Sequence, residues 1–172
     1  MKNVNDVSGN PALIAKIAGR IMQDGPIDFA TYMEMVLYDT EYGYYESGDS
    51  IGWDGDFYTS EDLHSVYGQM VGRQLLEAVG LIASDRPATI VEMGSGRGTM
   101  CRDILAFLER EVPDIRPRIR YVLIERSSRM MEHQRDVLQP FLLAGWPVSW
   151  RSGLETFLPG GIEGVIFSNE LV

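Results

Sequence analysis

One segment of the chain reads Thr89-Ile90-Val91-Glu92-Met93-Gly94-Ser95-Gly96-Arg97-Gly98-Thr99. It contains a short apolar run, an acid, glycine at every second position and the start of a helical pattern. A strand that turns at once into a helix through glycines is typical of α/β proteins that hold a nucleotide-like ligand. Backbone without Cβ atoms lets such a ligand approach closely, and the N–H groups at the helix start face it. The segment therefore predicts a ligand site at the end of a parallel strand.

Short apolar runs and helical patterns alternate after residue 87. This alternation predicts βαβ units, a parallel sheet and right-handed crossovers. Pro140 is expected to end the second of the two helices. The predicted strands are Ala88–Met93, Arg120–Ile124, Pro147–Trp150 and Gly164–Ser168, and the predicted helices are Thr99–Glu111 and Ser128–Leu138.

A helical region precedes the sheet. Apolar periodicity predicts helices over Pro11–Gln23, over 28–37 with Asp28 as the cap, and over 60–80 with Ser60 as the cap. Residues 38–60 are dense in aromatic, glycine and acidic residues. Their composition leaves two interpretations open, an ordered loop that carries function and a packed aromatic turn without a ligand. We expect residues 1–86 to form the helical and loop region and residues 87–172 to form the sheet domain.

The overall composition excludes several classes of protein. A net charge of −10 and a pI near 4.6 argue against a protein that binds nucleic acid through a basic face. The single cysteine, Cys101, excludes an intrachain disulfide and gives no spacing for metal ligands. No apolar run approaches the roughly 20 residues of a membrane span, and residues 1–6 show no signal or transit peptide. We expect a cytoplasmic protein without a membrane span or a bound metal.

Polar groups follow three of the predicted strands. Ligands of open parallel sheets bind beyond the carboxyl ends of the strands. Glu92 and the glycines end strand one, Glu125 ends strand two, and Asn169-Glu170 ends strand four. Because all three ends lie at one edge of a parallel sheet, we expect them to converge on a single crevice.

The spacing of the glycines distinguishes between two cofactors. The pattern Glu92-x-Gly94-x-Gly96-x-Gly98 differs from the dinucleotide pattern Gly-x-Gly-x-x-Gly in its last spacing. An acid ahead of the first glycine would repel a pyrophosphate and attract an amino-acid ammonium. The pattern therefore favours S-adenosyl-L-methionine over NAD, and it resembles motif I of Rossmann-like methyltransferases. The candidate cofactor-binding residues are Glu92, Gly94, Ser95, Gly96, Gly98 and Glu125.

Glu125 and the pair Asn169-Glu170 have specific candidate roles. A carboxylate at Glu125 could accept bonds from both ribose hydroxyls, although a surface acid beside Arg126 would give the same pattern. Asn169 and Glu170 are candidate catalytic residues beside the point where strands one and four diverge. A carbonyl and a carboxylate there could orient a guanidinium, whose high pKa means that methylation needs help in losing a proton. The alternative is a polar pair without a role in catalysis.

Several blocks of sequence are more distinctive than the glycine turn. They are Tyr32-Met33, Leu37-Tyr38-Asp39, Glu41-Tyr42-Gly43-Tyr44-Tyr45, Gly55-Asp56-Phe57-Tyr58-Thr59-Ser60, Glu92 to Met100, and Asn169-Glu170-Leu171. On these blocks the chain resembles the MidA-like, NDUFAF-type family of S-adenosylmethionine-dependent protein arginine methyltransferases. The family varies at the position of His64, which is given no role.

The resemblance implies a Rossmann-like class I methyltransferase fold that acts on an arginine of a protein partner. In the mitochondrial members that partner is a subunit of respiratory complex I. The resemblance also implies that Asp56, Phe57, Thr59 and Ser60 lie over the cofactor pocket, with Asp56 as a catalytic candidate and Thr59 and Ser60 as cofactor-binding candidates. The family usually has basic residues where this chain has Trp53-Asp54 and a proline where it has Glu61, which bears on substrate specificity.

The resemblance further implies a sheet longer than the one read from these residues. Family members are longer than this chain and have more strands after strand four. We therefore expect this sequence to be the N-terminal half of such a protein, with strands one to four present and catalysis dependent on the remainder. The alternative function is a binding or assembly protein that keeps a truncated methyltransferase fold without catalysis.

Overall fold

The structure of the protein is a computed structural model, and it describes residues 9–46, 64–82 and 85–171. The chain divides into two compact units, Met1–Ser50 and Ile51–Val172. The domain boundary predicted between residues 86 and 87 stays a prediction. No helix in the described ranges combines the length and the apolar character needed to cross a membrane.

The first unit contains the two helices predicted at the start of the chain. Helix α1 is Pro11–Asp24 and helix α2 is Phe29–Tyr38. Asn10 caps α1 by accepting bonds from the amides of Ala12 and Leu13, and Asp28 caps α2 by accepting from Thr31 N at 2.7 Å. Side-chain oxygens at these positions satisfy amides that have no partner within the helix. Both predicted helices are confirmed, and a short 3₁₀ turn, Tyr44–Glu46, follows them.

The second unit is built on a four-stranded parallel sheet. The strands are β1 (Ala88–Met93), β2 (Ile119–Ile124), β3 (Val148–Arg151) and β4 (Gly164–Ser168), in the order β3-β2-β1-β4. Strands β2 and β3 lie on one side of β1, and β4 lies on its other side. The topological switch point of the sheet is therefore between β1 and β4. This order confirms the predicted Rossmann-like sheet.

In the described residues three α-helices accompany the sheet: α3 (Val66–Gly80), α4 (Thr99–Glu111) and α5 (Ser128–Leu143). The main core lies on the sheet face covered by α4, where Ile90, Ile104 and Leu123 are almost completely buried. Helix α3 approaches α4 closely through two glycines, since a Cβ at Gly68 would lie 2.7 Å from Asp103 Cβ. A Cβ at Gly72 would lie 3.0 Å from the Phe107 ring. Hence α3 belongs to the same packed unit as the sheet.

Helix α5 does not end where the sequence predicts. It continues through Pro140 to Leu143, although a proline inside a helix removes a hydrogen bond and costs about 3 kcal/mol. The residues after the proline, Phe141 and Leu142, pack against the main core. Burial of apolar side chains contributes up to about 1.5–3 kcal/mol each, which is enough to offset the cost of the proline. The prediction that Pro140 stops the helix is wrong.

Helix α3 begins later than predicted. Its first residue is Val66, and the residue in the capping position is Ser65, whose side chain makes no capping bond. His64 serves instead, because its Nδ1 accepts a hydrogen bond from Val66 N at 3.1 Å. The predicted cap, Ser60, lies outside the described residues. His64 thus has a structural role in starting the helix.

Candidate functional site

The register of the sheet places three strand ends in one row. Met93 pairs with Ile124 on one side and with Ser168 on the other. The next residue of each strand is therefore Gly94, Glu125 or Asn169, all at the same level of the carboxyl edge. Since neighbouring strands lie about 4.8 Å apart, the backbones of Glu125 and Asn169 flank that of Gly94 at a separation of roughly 10 Å. The sheet therefore places the predicted strand-end groups around one point.

The glycine turn between β1 and α4 has a left-handed backbone. Gly94, Gly96 and Gly98 have φ values of 67°, 49° and 79°, a region that side chains with a Cβ enter only at a cost. Gly98 N donates to Ser95 O at 2.8 Å, and Ser95 Oγ donates to the carbonyl of Glu92 at 3.3 Å. The turn is therefore fixed internally, by its own backbone and by Ser95.

Leu171 connects the glycine turn to the end of β4. A Cβ on Gly94 would lie 2.8 Å from Leu171 Cδ1. The absence of a side chain at Gly94 therefore makes room for Leu171, which is itself half exposed. This contact brings the turn and the segment after Asn169-Glu170 together.

Glu92 is buried beneath the turn and is 3% exposed. The Tyr121 hydroxyl on β2 donates to Glu92 Oε2 at 2.5 Å. Burial, followed by the nearby Glu92 carboxylate, raises the pKa of Tyr121 well above its ordinary value, so this hydroxyl keeps its proton at neutral pH. Burial and Glu92 also raise the pKa of the neighbouring Cys101 thiol. The acid ahead of the glycines is thus held from below by a protonated tyrosine.

Glu125 is held by backbone and side-chain donors. Its Oε1 accepts from the amides of Arg126 at 2.8 Å and Ser127 at 2.9 Å, and its Oε2 accepts from Gln134 Nε2 at 3.2 Å. Two amides on one oxygen and a side-chain donor on the other fix the plane of the carboxylate. The group is therefore oriented before any ligand binds.

The catalytic candidates at the end of β4 have different surroundings. The Tyr67 hydroxyl on α3 donates to Asn169 Oδ1 at 2.7 Å. Glu170 has a φ of 53° and is the non-glycine residue of the described ranges with a left-handed backbone. Such a conformation costs about 1–3 kcal/mol and is found frequently at functional sites. The backbone thus turns sharply at the residue whose carboxylate is the predicted catalytic group.

The turn also carries a titratable contact. Arg97 Nε donates to His133 Nε2 at 3.2 Å, which requires that this nitrogen of His133 carry no proton. Burial, followed by the Arg97 charge, lowers the pKa of His133, while Asp136 opposes the shift. At neutral pH the neutral imidazole therefore accepts this bond and connects the turn to α5.

The chemistry of these groups fits S-adenosyl-L-methionine. The left-handed glycines present bare backbone, α4 directs its positive N-terminus at the turn, and Glu125 offers an oriented carboxylate. Among the described residues, the Thr99 hydroxyl at the start of α4 is buried without a hydrogen-bond partner. A polar ligand group at the turn could satisfy this hydroxyl, so the donors and acceptors present suit an adenosyl amino acid.

The structure brings together the predicted residues Glu92, Gly94, Ser95, Gly96, Gly98, Glu125, Asn169 and Glu170 at one edge of the sheet. The other candidates, Asp56, Thr59 and Ser60, lie outside the described residues, as does Phe57. The functional roles of all these residues stay predictions.

Three residues that contact the site were not predicted from the sequence, namely Tyr67, Tyr121 and Gln134. One of them had a signal in the sequence. The buried residues of α5 are Met130, Gln134 and Leu138, at a spacing of four. A glutamine on an otherwise apolar helical face indicates a buried hydrogen-bonding group, because such a side chain is rarely buried without partners.

Comparison with known proteins gives a consistent result. Residues 70–172 match the sequence model of a family of S-adenosyl-L-methionine-dependent methyltransferases. A curated relative from Drosophila melanogaster, a mitochondrial protein arginine methyltransferase NDUFAF7 homolog, is 38% identical over 60% of this chain and 24% of its own length. The mitochondrial protein arginine methyltransferase NDUFAF7 of Mus musculus is 36% identical over 79% of this chain and 35% of its own length.

A solved structure covers more of the chain. A crystal structure of a protein from Burkholderia thailandensis bound to S-adenosyl-homocysteine is similar to this chain, with a TM-score of 0.76 and 28% identity. The similarity covers 93% of this chain and 41% of the other. The chain thus spans less than half the length of these relatives.

Proposed function

The chain belongs to this family of S-adenosyl-L-methionine-dependent methyltransferases, and we propose that it takes part in methylating an arginine of a partner protein. The cofactor of the family is S-adenosyl-L-methionine. The observation that carries the proposal is the row formed by Gly94, Glu125 and Asn169 at the carboxyl edge of the sheet. One side of this row has the groups suited to the cofactor, and the other has groups suited to a cationic acceptor.

The cofactor side consists of the glycine turn and Glu125. We place the amino-acid part of the cofactor at the turn, where bare backbone and the start of α4 are accessible to a carboxylate. Glu125 takes the ribose hydroxyls, because its carboxylate plane is already fixed by the Arg126 and Ser127 amides. Glu92 contributes negative charge from below the turn through a carboxylate that Tyr121 holds in place.

The acceptor side consists of Asn169 and Glu170. The cofactor supplies a methyl group on a positively charged sulfur. In this proposal Glu170 orients the guanidinium, stabilises its charge and receives the proton that the nitrogen loses. Tyr67 fixes the Asn169 side chain by donating to its Oδ1. The second lone pair of this oxygen stays available to accept from a guanidinium N–H. These groups therefore act through orientation and electrostatics.

Arginine is the acceptor favoured by the relatives. Curated relatives from a fly and a mouse are both named protein arginine methyltransferases, at 38% and 36% identity. A carboxylate beside an amide also suits a planar guanidinium, which presents several donors in a fixed geometry. Both observations support an arginine acceptor, and the names of the relatives support a protein substrate.

The test is mass spectrometry of arginine methylation in cells with and without the gene. Cells that lack it are complemented with the wild-type gene, with Glu170→Gln, or with Glu132→Gln, which changes an exposed glutamate on α5 in the same way. We expect a methylarginine peptide that disappears without the gene and returns with the wild type and Glu132→Gln. Glu170→Gln should return at most about a tenth of it. An unchanged pattern of arginine methylation without the gene would contradict the proposal.

A further inference from the structure

Gln134 joins three elements of the site through one buried side chain. It lies on α5 and is 0% exposed. Its Nε2 donates to Gly96 O at 2.7 Å and to Glu125 Oε2 at 3.2 Å, while its Oε1 accepts from Trp150 Nε1 on β3 at 2.8 Å. The side chain therefore connects the glycine turn, the end of β2 and β3.

These three partners allow only one orientation of the amide. The two groups on the nitrogen side, a backbone carbonyl and a carboxylate, can only accept hydrogen bonds. The indole N–H of Trp150 can only donate. Rotating the amide by half a turn would place oxygen against two acceptors and NH₂ against a donor. Trp150 therefore directs the NH₂ of Gln134 towards Gly96 and Glu125.

The glycine turn is shaped to receive this side chain. A Cβ on Gly98 would lie 3.2 Å from Gln134 Cγ and 3.5 Å from its Cα. The absence of a side chain at Gly98 thus lets α5 approach the turn closely enough for the bond to Gly96. The guanidinium of Arg135 packs over the Trp150 ring, 4.9 Å from its centre.

We propose that Gln134 is a positioning residue for the cofactor: it sets the distance between the glycine turn and Glu125, which hold the amino-acid part and the ribose of the ligand. This inference rests on the proposed function, because it assigns Gln134 a role in binding S-adenosyl-L-methionine. Without the amide, the turn and the Glu125 carboxylate keep their own local bonds but lose the link between them. The loss then affects the free energy of ligand binding more than the free energy of unfolding.

The experiment is calorimetric titration of the full chain with S-adenosyl-L-methionine. Gln134→Glu keeps the shape and the bond from Trp150 but replaces the donor with an oxygen that faces Glu125. Gln134→Met removes the polar group and adds no charge. The matched control is Gln139→Glu, the same change at an exposed position of α5. We expect affinity about 10- to 100-fold weaker in both Gln134 variants, as for loss of a hydrogen bond to a charged group, and unchanged in Gln139→Glu.

A double variant separates positioning from a general structural effect. If Gln134 acts through Glu125, Gln134→Met combined with Glu125→Gln should lose less affinity than the sum of the two single losses. Additive losses, or an affinity in Gln134→Met equal to that of the wild type, would overturn the inference. The proposed function would still stand in that case, as long as the wild-type chain binds the cofactor. No binding by the wild type would overturn the proposed function and the cofactor role of Gln134 together.

The Trp150 indole N–H resonance gives a reading without a ligand. Loss of its acceptor in Gln134→Met should shift this resonance, whereas Gln139→Glu should leave it in place. A resonance that is identical in Gln134→Met and the wild type would show that the link does not exist in solution and would overturn the inference.

Discussion

Removal of the Tyr121 hydroxyl is the most informative change beneath the glycine turn. In Tyr121→Phe the ring stays in the core, but Glu92 Oε2 loses a donor at 2.5 Å. Both side chains are at most 3% exposed, so water does not readily replace the lost bond. A hydrogen bond to a charged group contributes about 1.5–3 kcal/mol. For a unit of this size that loss lowers Tm by roughly 5–10 °C.

The assay is thermal and urea unfolding of the wild type, Tyr121→Phe and Tyr67→Phe. Tyr67→Phe is the matched control, since its hydroxyl also donates to a side-chain oxygen but the residue is 37% exposed. We expect the control to lose less than about 1 kcal/mol. A double-mutant cycle with Glu92→Gln assigns the loss to the pair rather than to Cys101, which lies beside Tyr121. Equal losses in Tyr121→Phe and Tyr67→Phe, or a coupling energy near zero, would show that the Tyr121–Glu92 bond does not stabilise the fold.

Three further changes test other parts of the site. Tyr67→Phe removes the hydrogen bond to the Asn169 carbonyl oxygen. It should lower the rate of methyl transfer about tenfold and leave cofactor affinity unchanged. A kcat equal to that of the wild type in steady-state kinetics would contradict the role of Tyr67. Gly94→Ala and Gly145→Ala both place a Cβ at positive φ, and each should lower the free energy of unfolding by about 1–2 kcal/mol. Of these two variants only Gly94→Ala also contacts Leu171, so it alone should weaken cofactor binding in a titration. The pKa of His133 is lowered in the folded protein, so as pH falls the unfolded chain binds this proton first. The free energy of unfolding therefore decreases as pH falls below the ordinary value of 6.5. Unfolding curves should show a smaller decrease in His133→Gln, and an equal decrease would contradict the Arg97 contact.

The sequence predicted those parts of the fold that local patterns determine. β1, α4 and β4 have the predicted bounds, because an apolar run bounded by glycines or a clear helical periodicity defines each one. The end of α5 and the start of α3 were predicted wrongly. At Pro140 the packing of Phe141 and Leu142 outweighs the tendency of proline to end a helix. At the start of α3 the helix is capped by His64 and not by the serine that the sequence predicts.

The candidate functional site likewise contains residues that the sequence could locate and residues that it could not. The strand-end residues could be located from sequence, since parallel strands place their carboxyl ends at one edge. Their supporting partners could not, because those contacts join residues far apart in the chain: Tyr67 and Asn169 are 102 residues apart, and Gln134 and Gly96 are 38 apart. Only the fold brings these pairs within hydrogen-bond distance.

The position of the cofactor at the glycine turn is tested by titrating the wild type and Gly96→Val with S-adenosyl-L-methionine. Gly96 has a φ of 49°, where a branched side chain is strained. We expect saturable binding at one site in the wild type and none in Gly96→Val, with circular dichroism showing that the variant keeps its helices. Absence of binding in the wild type, or equal affinity in a folded Gly96→Val, would contradict the placement of the cofactor at the glycine turn.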